Sequence, residues 1–485
     1  MKKKGISLEY SFLTTKNIQI RSPALSICDF GMKSKVLPGK ITICITKSHP
    51  LILLAETIPW QEMFELIFPN LKNTTKKGKW WLGRKLKVRI HLGAYVLQQL
   101  YNLTDRDTEY NIRDNAAYQI FCGQQLMDKW HVPDHTKIED FRSRLCPETQ
   151  RQLANLITIH AVKLGLADPK DLDIDSTVQE ANMTYPTDAK MLRKLGLLAE
   201  KVSKSLKGIL PNASYDLMVD IKGIALNARN CFFQKRYSSK EDKAENLQQL
   251  WESVTEPLAR VIKACNSLTA KQADKLKWNI TKAKTQVIEY GEAYLAAAKI
   301  FIDTGKAIKD KRLSFHLSEV ECFSKGKAHK KHEFGRAFQL GRIGGNFMFV
   351  GACTSVRMDD KKAVVPMLAE HEKLFGVKTV DSLATDKGYY SKKNIKHAQE
   401  KGIAKIGIQQ PCTVNKKIAP LSPEDEETLY NRRSGIEPLI GHVKQGGQLG
   451  RSRMKSDSTI ESSGYTSVLG FNLRQTIKAK FKMAA

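Results

Sequence analysis

The sequence predicts an α/β protein with a helical N-terminal domain and a helical insertion. Three observations predict it. Residues 51–150 carry apolar groups at helical spacing, and residues 235–309 hold long, Lys- and Glu-rich helical patterns with few strand formers. From residue 314 onward, β-branched and apolar runs alternate with shorter helical ones, the mark of a mixed sheet with flanking helices. A 485-residue chain exceeds one ordinary core, and about 150 residues per domain suggests two to four units.

In chain order, residues 1–50 read as an N-terminal arm. PALSICDF and KITICITK are short strand candidates within it, interrupted by Pro23, Pro38 and Pro50. Residues 51–165 read as a helical DNA-binding domain, with Thr104 or Asp105 at a cap position and Pro133 in a turn. Lys79, Arg84, Lys85, Lys87 and Arg89 form a basic entry to it, and a small helical domain with one basic face suits a duplex. Residues 166–234 begin the α/β core. DLDIDS, 171–176, reads as a short strand ending at an acid, and TDAKMLRKLGLLAEKVSKSL as an amphipathic helix capped by Thr187 or Asp188. Its polar face carries Lys190, Arg193, Lys194, Lys201 and Lys204. Residues 235–309 suit an inserted helical hairpin, structural by default.

Residues 310–460 complete the core. SFHLSEVECF, FGRAFQLGRI and NFMFVGACTSV read as strands, and the turn signals between them, KGKAHKKHE and GGN, suit an antiparallel meander; the order strand, inserted helices, two strands, helix, strand, helix holds if the last two count as one bent strand. A helix over KKAVVPMLAEHEKLFG, a strand leading to Asp386, the helix SKKNIKHAQEKG and the strand IAKIGIQQP follow. Residues 461–485 read as a basic C-terminal tail.

Seventy-nine basic against 50 acidic side chains leave a net charge of +29, which favours a polyanionic partner. Nine scattered cysteines, none within four residues of another, make no zinc pair and read as reduced thiols. No apolar run approaches a membrane span, and the first residues lack the apolar core of a secretion signal. A cytoplasmic protein is expected. No phosphate-binding glycine loop of the nucleotide enzymes is present.

The chemistry concentrates in YNRRSGIEPLIGHVK. Tyr430, Arg433, Glu437 and Lys444 fall within about 60° on a 3.6-residue period. A stripe of one acid, two bases and a phenol suits a face that meets a metal and a phosphate backbone. Pro438 sits most easily in the first turn of a new helix, with Glu437 at its cap. Two isolated acids stand upstream. Asp175 is favoured in its strand, with Asp173 as rival on the same face; Asp386 has a rival in Asp381, and Gly388 would permit a tight turn after it. Three carboxylates from separate elements can fix two Mg²⁺ or Mn²⁺ ions about 4 Å apart for phosphodiester chemistry. Arg433 suits bidentate phosphate contact; Lys444 and Tyr430 suit further backbone contacts.

These residues resemble the DDE transposases of bacterial insertion sequences, the broad group named after the fourth and fifth insertion-sequence families. Tyr430, Arg433, Glu437 and Lys444 match the family's Y-x2-R-x3-E-x6-K signature. Asp175 in DIDST matches its first aspartate; Asp386, Gly388, Tyr389 and Ser391 match the D-x-GY-x-S type motif of its second. KGKAHKKHEFGRAF (325–338) and VPDHTKIEDFR (132–142) resemble two further family segments. The resemblance implies an RNase H-like core in which Asp175, Asp386 and Glu437 bind two metal ions and catalyse cleavage and strand transfer. It further implies double-stranded DNA with terminal inverted repeats, target DNA, a homodimeric or higher synaptic complex, and a nucleoid-associated bacterial setting. A catalytically inactive DNA-binding derivative and a hydrolytic nuclease on the same scaffold are the alternatives. The helical segment lies between the first and second aspartates, where the best-known relatives instead carry a β-rich insertion after the second.

Overall fold

A computed structural model describes residues 17–27, 35–44, 48–71, 73–74, 80–81, 88–123, 132–210, 217–233, 239–306, 308, 311–324, 332–354, 359–410 and 420–484. Lys79, Arg84, Lys85, Lys87 and the KGKAHKK stretch 325–331 lie outside them. The chain is mixed α/β and divides into two units, one of residues 1–181, 323–454 and 458–485, the other of 182–322 and 455–457.

The first unit opens with an antiparallel hairpin, β1 (Asn17–Ile27) and β2 (Lys35–Cys44). The predicted prolines do not end these strands. The register instead shifts between Ser22 and Leu25, around Pro23, a bulge that absorbs the missing donor. Helices α1 (Pro50–Thr57) and α2 (Trp60–Leu71) follow, then a two-residue ladder of β3 (Asn73–Thr74) and β4 (Trp80–Trp81). Next come α3 (Val88–Tyr101), α4 (Asp105–Asp114), α5 (Ala116–Phe121), α6 (His135–Arg144) and α7 (Pro147–Lys163). Thr104, not Asp105, caps α4: its side chain accepts the Asp107 N–H at 3.1 Å, and the Asp107 carboxylate closes a capping box. In VPDHTKIEDFR, Asp134 caps α6, Phe141 is buried, and Arg142 pairs with Asp105 at 2.8 Å.

The chain then forms β5 (Asp171–Glu180) and enters the second unit. That unit holds α8 (Asp188–Lys207), α9 (Ile221–Phe233), α10 (Lys240–Asn266), α11 (Ala270–Ala273) and α12 (Trp278–Thr304). It is wider than the predicted insertion at 235–309. The reason is α8, whose Leu192, Leu195, Val202 and Leu206 pack with Leu250, Val254 and Leu258 of α10 and Val287 of α12. Thr187 caps α8.

Back in the first unit are β6 (Glu321–Ser324), β7 (His332–Ile343), β8 (Phe347–Thr354), α13 (Asp360–Phe375), β9 (Ser382–Thr385), α14 (Lys392–Glu400), β10 (Lys405–Ile408), α15 (Pro423–Ser434), α16 (Ile436–Gln445) and α17 (Asp457–Ala484). The sheet runs β10-β9-β5-β7-β6, with β8 also on β7. β9 is parallel to β5 and to β10; β7 is antiparallel to β5 and to β8. FGRAFQLGRI and NFMFVGACTSV are therefore two antiparallel strands with GGN as the turn, as the meander reading expects, and do not count as one bent strand. Gly344–Asn346 reverses the chain between them, with Gly345 at φ 78° and Asn346 at φ 63°.

Both faces of the sheet are covered. Along β8, Phe347 and Phe349 join the core under α13, while Met348 and Val350 join the core shared with the N-terminal helices, α16 and α17. Each such buried side chain contributes about 1.5–3 kcal/mol. Two buried amides satisfy the outer edge of β8. Asn155 of α7 donates to Val350 O (3.1 Å) and accepts its N–H (2.8 Å); Asn472 of α17 donates to Met348 O (2.7 Å) and accepts its N–H (3.0 Å). The predicted basic tail at 461–485 is thus a core helix. Tyr465, Val468, Leu469, Phe471 and Leu473 are buried, and a Cβ on Gly464 would overlap the Phe338 ring.

Candidate active site

The sheet's parallel register places the first two predicted acids. Ile174 of β5 lies opposite Thr385, the last residue of β9, so Asp175 and Asp386 are the next level of the same ladder. Asp175 is not at the end of its own strand, as the sequence suggested. β5 continues to Glu180 beside β7, and it is the neighbour β9 that stops, opening the sheet at Asp175. Asp175 pairs with Leu340 across β7 and shares its face, the face covered by α16.

The third acid arrives on α16. Helices α15 and α16 meet at Gly435, whose φ −70° and ψ −15° keep the path right-handed. Pro438 sits in the first turn of α16, as expected from its missing donor, but the cap is Gly435 and not Glu437, which lies inside that first turn because α15 runs on to Ser434. Arg433 joins the acids: its Nη2 lies 3.2 Å from Asp386 Oδ1 and 3.3 Å from Glu437 Oε1. Glu437 and Asp386 both act electrostatically on Asp175. Burial, reinforced by Asp386, Glu437 and Asp360, pushes the Asp175 carboxyl up to about 6, against the Ser176 N–H that it accepts at 2.7 Å.

Asp360 is the acid that the sequence reading missed. It lies in the first turn of α13, where the helix dipole favours a carboxylate, and accepts the Ser176 hydroxyl at 3.1 Å. Gly388 belongs to this contact. It lacks a positive φ, but a Cβ there would come within 3.2 Å of Asp360 Oδ2. The expected tight turn is therefore not its reason; close approach is. Nothing in MDDKKAVV marks Asp360 apart from an ordinary helix start, which Asp359 already caps. The rest of the motif is structural. Tyr389 is buried, with its hydroxyl held far above its ordinary value by burial, and Ser391 caps α14.

The rival acids are placed elsewhere. Asp173, only 2 % exposed, accepts from Arg432 Nε at 2.6 Å and pairs with Arg342 at 3.2 Å. Arg432 also reaches Asp171 at 2.5 Å and Ser382 Oγ at 2.6 Å, stitching α15 to β5 and β9. Asp381 precedes β9, at the opposite end from Asp386.

Of the predicted phosphate contacts, Arg433 is engaged with the acids rather than pointing away from them. Tyr430 is 54 % exposed and, with Arg433 and Lys387, lines a cleft of about 550 Å³. Lys444 stands seven residues after Glu437 on α16, half-buried and on nearly the same helical face. Among the described residues, three ligand atoms within 4.8 Å of one another occur at Glu109, Asp134 and His135, not at the three acids. That group is a lock between α4 and α6: Glu109 accepts the His135 N–H at 2.9 Å and is paired with Arg113. Cys122, Cys146, Cys231 and Cys265 form no disulfide, and Cys28, Cys44, Cys353 and Cys412 lie outside the described side chains. No helix among the described residues is long and apolar enough to cross a membrane.

Two family models match the chain. One, described as a transposase domain (DUF772), covers residues 40–144; the other, described as a transposase DDE domain, covers residues 325–472. The chain belongs to the DDE transposases of insertion sequences. The first match takes in β2 and most of the N-terminal helices of this transposase, and the second takes in Asp386, Arg433 and Glu437. Asp175 falls outside both matches, so its place beside Asp386 rests on the strand register. A relative from Rhizobium meliloti, described as an uncharacterized protein ORF8 in nfe locus, is 25% identical over 202 residues, 41% of this chain and 92% of the relative. No solved structure matches the transposase.

Proposed function

We propose that this transposase binds the terminal repeats of its element and catalyses metal-dependent cleavage and strand transfer with Asp175, Asp386 and Glu437. The carrying observation is the parallel register that sets Asp175 level with Asp386, joined to Glu437 through Arg433. The strand order, with β5 central, β7 and β8 antiparallel to one side and β9 and β10 parallel to the other, supports reading the sheet as an RNase H-like core.

The donor set suits hard divalent cations. Asp175, Asp386, Glu437 and Asp360 offer carboxylate oxygens, and the Asp175 carboxyl is raised by its burial first and by these neighbouring acids second. Mg²⁺ or Mn²⁺ held there supplies activation of a water or 3′-hydroxyl and stabilisation of the leaving oxygen. Asp175 is held within β5 and Asp386 immediately after β9, at the cap of the turn that follows, while Glu437 comes from a helix start and approaches from the sheet face. Arg433 spends one nitrogen on the two acids; its remaining N–H groups face a phosphate in the cleft beside Tyr430 and Lys387. The basic balance of the chain, +29, draws the DNA to it.

The test is cleavage and binding on DNA carrying the element's terminal repeats. Asp175→Asn, Asp386→Asn and Glu437→Gln are expected to abolish cleavage and to retain end binding. Normal cleavage by any of the three removes that residue from the site. Cleaved but never joined ends would make the protein a nuclease.

A further inference from the structure

The second unit carries a basic, aromatic cleft that the chemistry above leaves unused. It lies between α8 and α9, encloses about 380 Å³, and has an alanine floor. Among the described residues, its walls carry three cations, Lys190, Arg193 and Arg229, and no acid. Phe232 and Phe233 form its rim and are 55 % and 74 % exposed, an unusual state for two adjacent phenyl rings. Each ring has a cation near its face: Lys190 Nζ lies 5.3 Å from the Phe232 centroid, and Arg229 lies 5.1 Å from that of Phe233.

We propose that this cleft binds a DNA strand at an unpaired nucleotide, the base against Phe232 and Phe233 and the flanking phosphates on Lys190, Arg193 and Arg229. The proposal rests on the reading that this chain acts on DNA. Charge complementarity selects the occupant. An apolar helix from another protein would leave three cations facing it, and a paired duplex presents no free base face to two exposed rings. A single strand satisfies both, since its phosphates meet the cations while every base offers a π-face. Transposition exposes such nucleotides wherever a strand end is freed.

The test uses the full chain and fluorescent oligonucleotides. Wild-type protein is titrated with a single-stranded oligonucleotide containing one 2-aminopurine, and with the same sequence as a duplex. Unstacking of the probe base on binding raises its fluorescence. The double variant Phe232→Ser/Phe233→Ser should lose that rise and bind the single strand about tenfold more weakly. Arg229→Gln and Lys190→Gln should each lower the slope of log K against log salt by about 0.7, the release expected for one phosphate contact on a single strand. Arg229, Phe232 and Phe233 are exposed and Lys190 is half-buried, and the Tm of each variant should match wild type. Equal fluorescence and affinity in wild type and the phenylalanine variant would overturn the proposal. So would a wild type that binds no single strand, or a dimer in light scattering that the phenylalanine variant dissolves with no change in DNA binding. Cleavage of terminal-repeat duplex, measured in parallel, reports on the active site separately.

Discussion

Asp173 and Asp175 stand two residues apart on one face of β5, in opposite electrical company. Asp173 is closed in by Arg432 and Arg342. Asp175 is surrounded by Asp386, Glu437 and Asp360, and its carboxyl is pushed up to about 6. The lower end of the β5–β9 ladder is thus a neutralised ion cluster that holds α15 to the sheet. The upper end is richer in acid, with Arg433 shared between Asp386 and Glu437. Identical side chains on one strand take structural or chemical roles according to what the neighbouring elements bring, and here α15 brings both: Arg432 turns to the lower cluster and Arg433, about 100° further around the helix, to the upper.

The sharpest contrast is between the two aspartates themselves. Asp175→Asn should reduce cleavage on the order of 10³-fold or more while leaving a folded protein. Asp173→Asn should instead cost about 3 kcal/mol in urea unfolding, because it leaves two half-buried guanidiniums, Arg432 and Arg342, short of a partner. A stable, inactive Asp173→Asn would reverse the assignment. The two arginines give the same contrast at smaller size. Arg432→Ala should lower stability by about 2–3 kcal/mol; Arg433→Ala should keep Tm within a few degrees and weaken end positioning, seen as slower cleavage at unchanged protein stability.

Burial raises the Asp173 carboxyl as well as that of Asp175; at Asp173 two arginines oppose the shift, while at Asp175 three neighbouring acids add to it. The folded carboxyl of Asp175 titrates near 6, above its ordinary value of 3.8. Its contribution to stability is therefore complete below about pH 4 and is lost as pH rises through 6. In thermal melts without divalent ions, Asp175→Asn should match wild type at pH 4 and melt a few degrees higher at pH 7.5. An identical difference at both pH values would contradict the raised carboxyl. The smallest expected effect is at Asp360. Asp360→Asn keeps the hydrogen bond from Ser176 but removes one charge beside Asp175. It should lower cleavage by about 3- to 10-fold, with weaker Mn²⁺ binding, and the loss should shrink at higher Mn²⁺.

Much of this site was legible in the sequence because it sits at unusual chemistry. Asp175, Asp386 and Glu437 stood out as acids at element ends, and Pro438 announced the start of α16. What stayed hidden depends on neighbours. The strand β5 looked finished at Ser176 because Ser and Thr often end strands, yet Gln179 and Glu180 pair on with β7. The hairpin of β7 and β8, by contrast, is legible, because Gly-Gly-Asn marks the reversal between two apolar runs. Residues 461–485 looked like a basic tail because the lysines cluster after Gln475, while the apolar residues before it complete a core built by α7 and β8. Asp360 was invisible because an acid in a first helical turn is the commonest of placements, and only the folded sheet brings it to Ser176.

The central claim is that Asp175, Asp386 and Glu437 hold divalent ions together, and Mn²⁺ binding followed by electron paramagnetic resonance tests it without relying on turnover. The account predicts that Asp175→Asn, Asp386→Asn and Glu437→Gln each weaken Mn²⁺ binding at pH 7.5 while Tm measured without metal does not fall. Wild-type Mn²⁺ affinity in all three variants would contradict it.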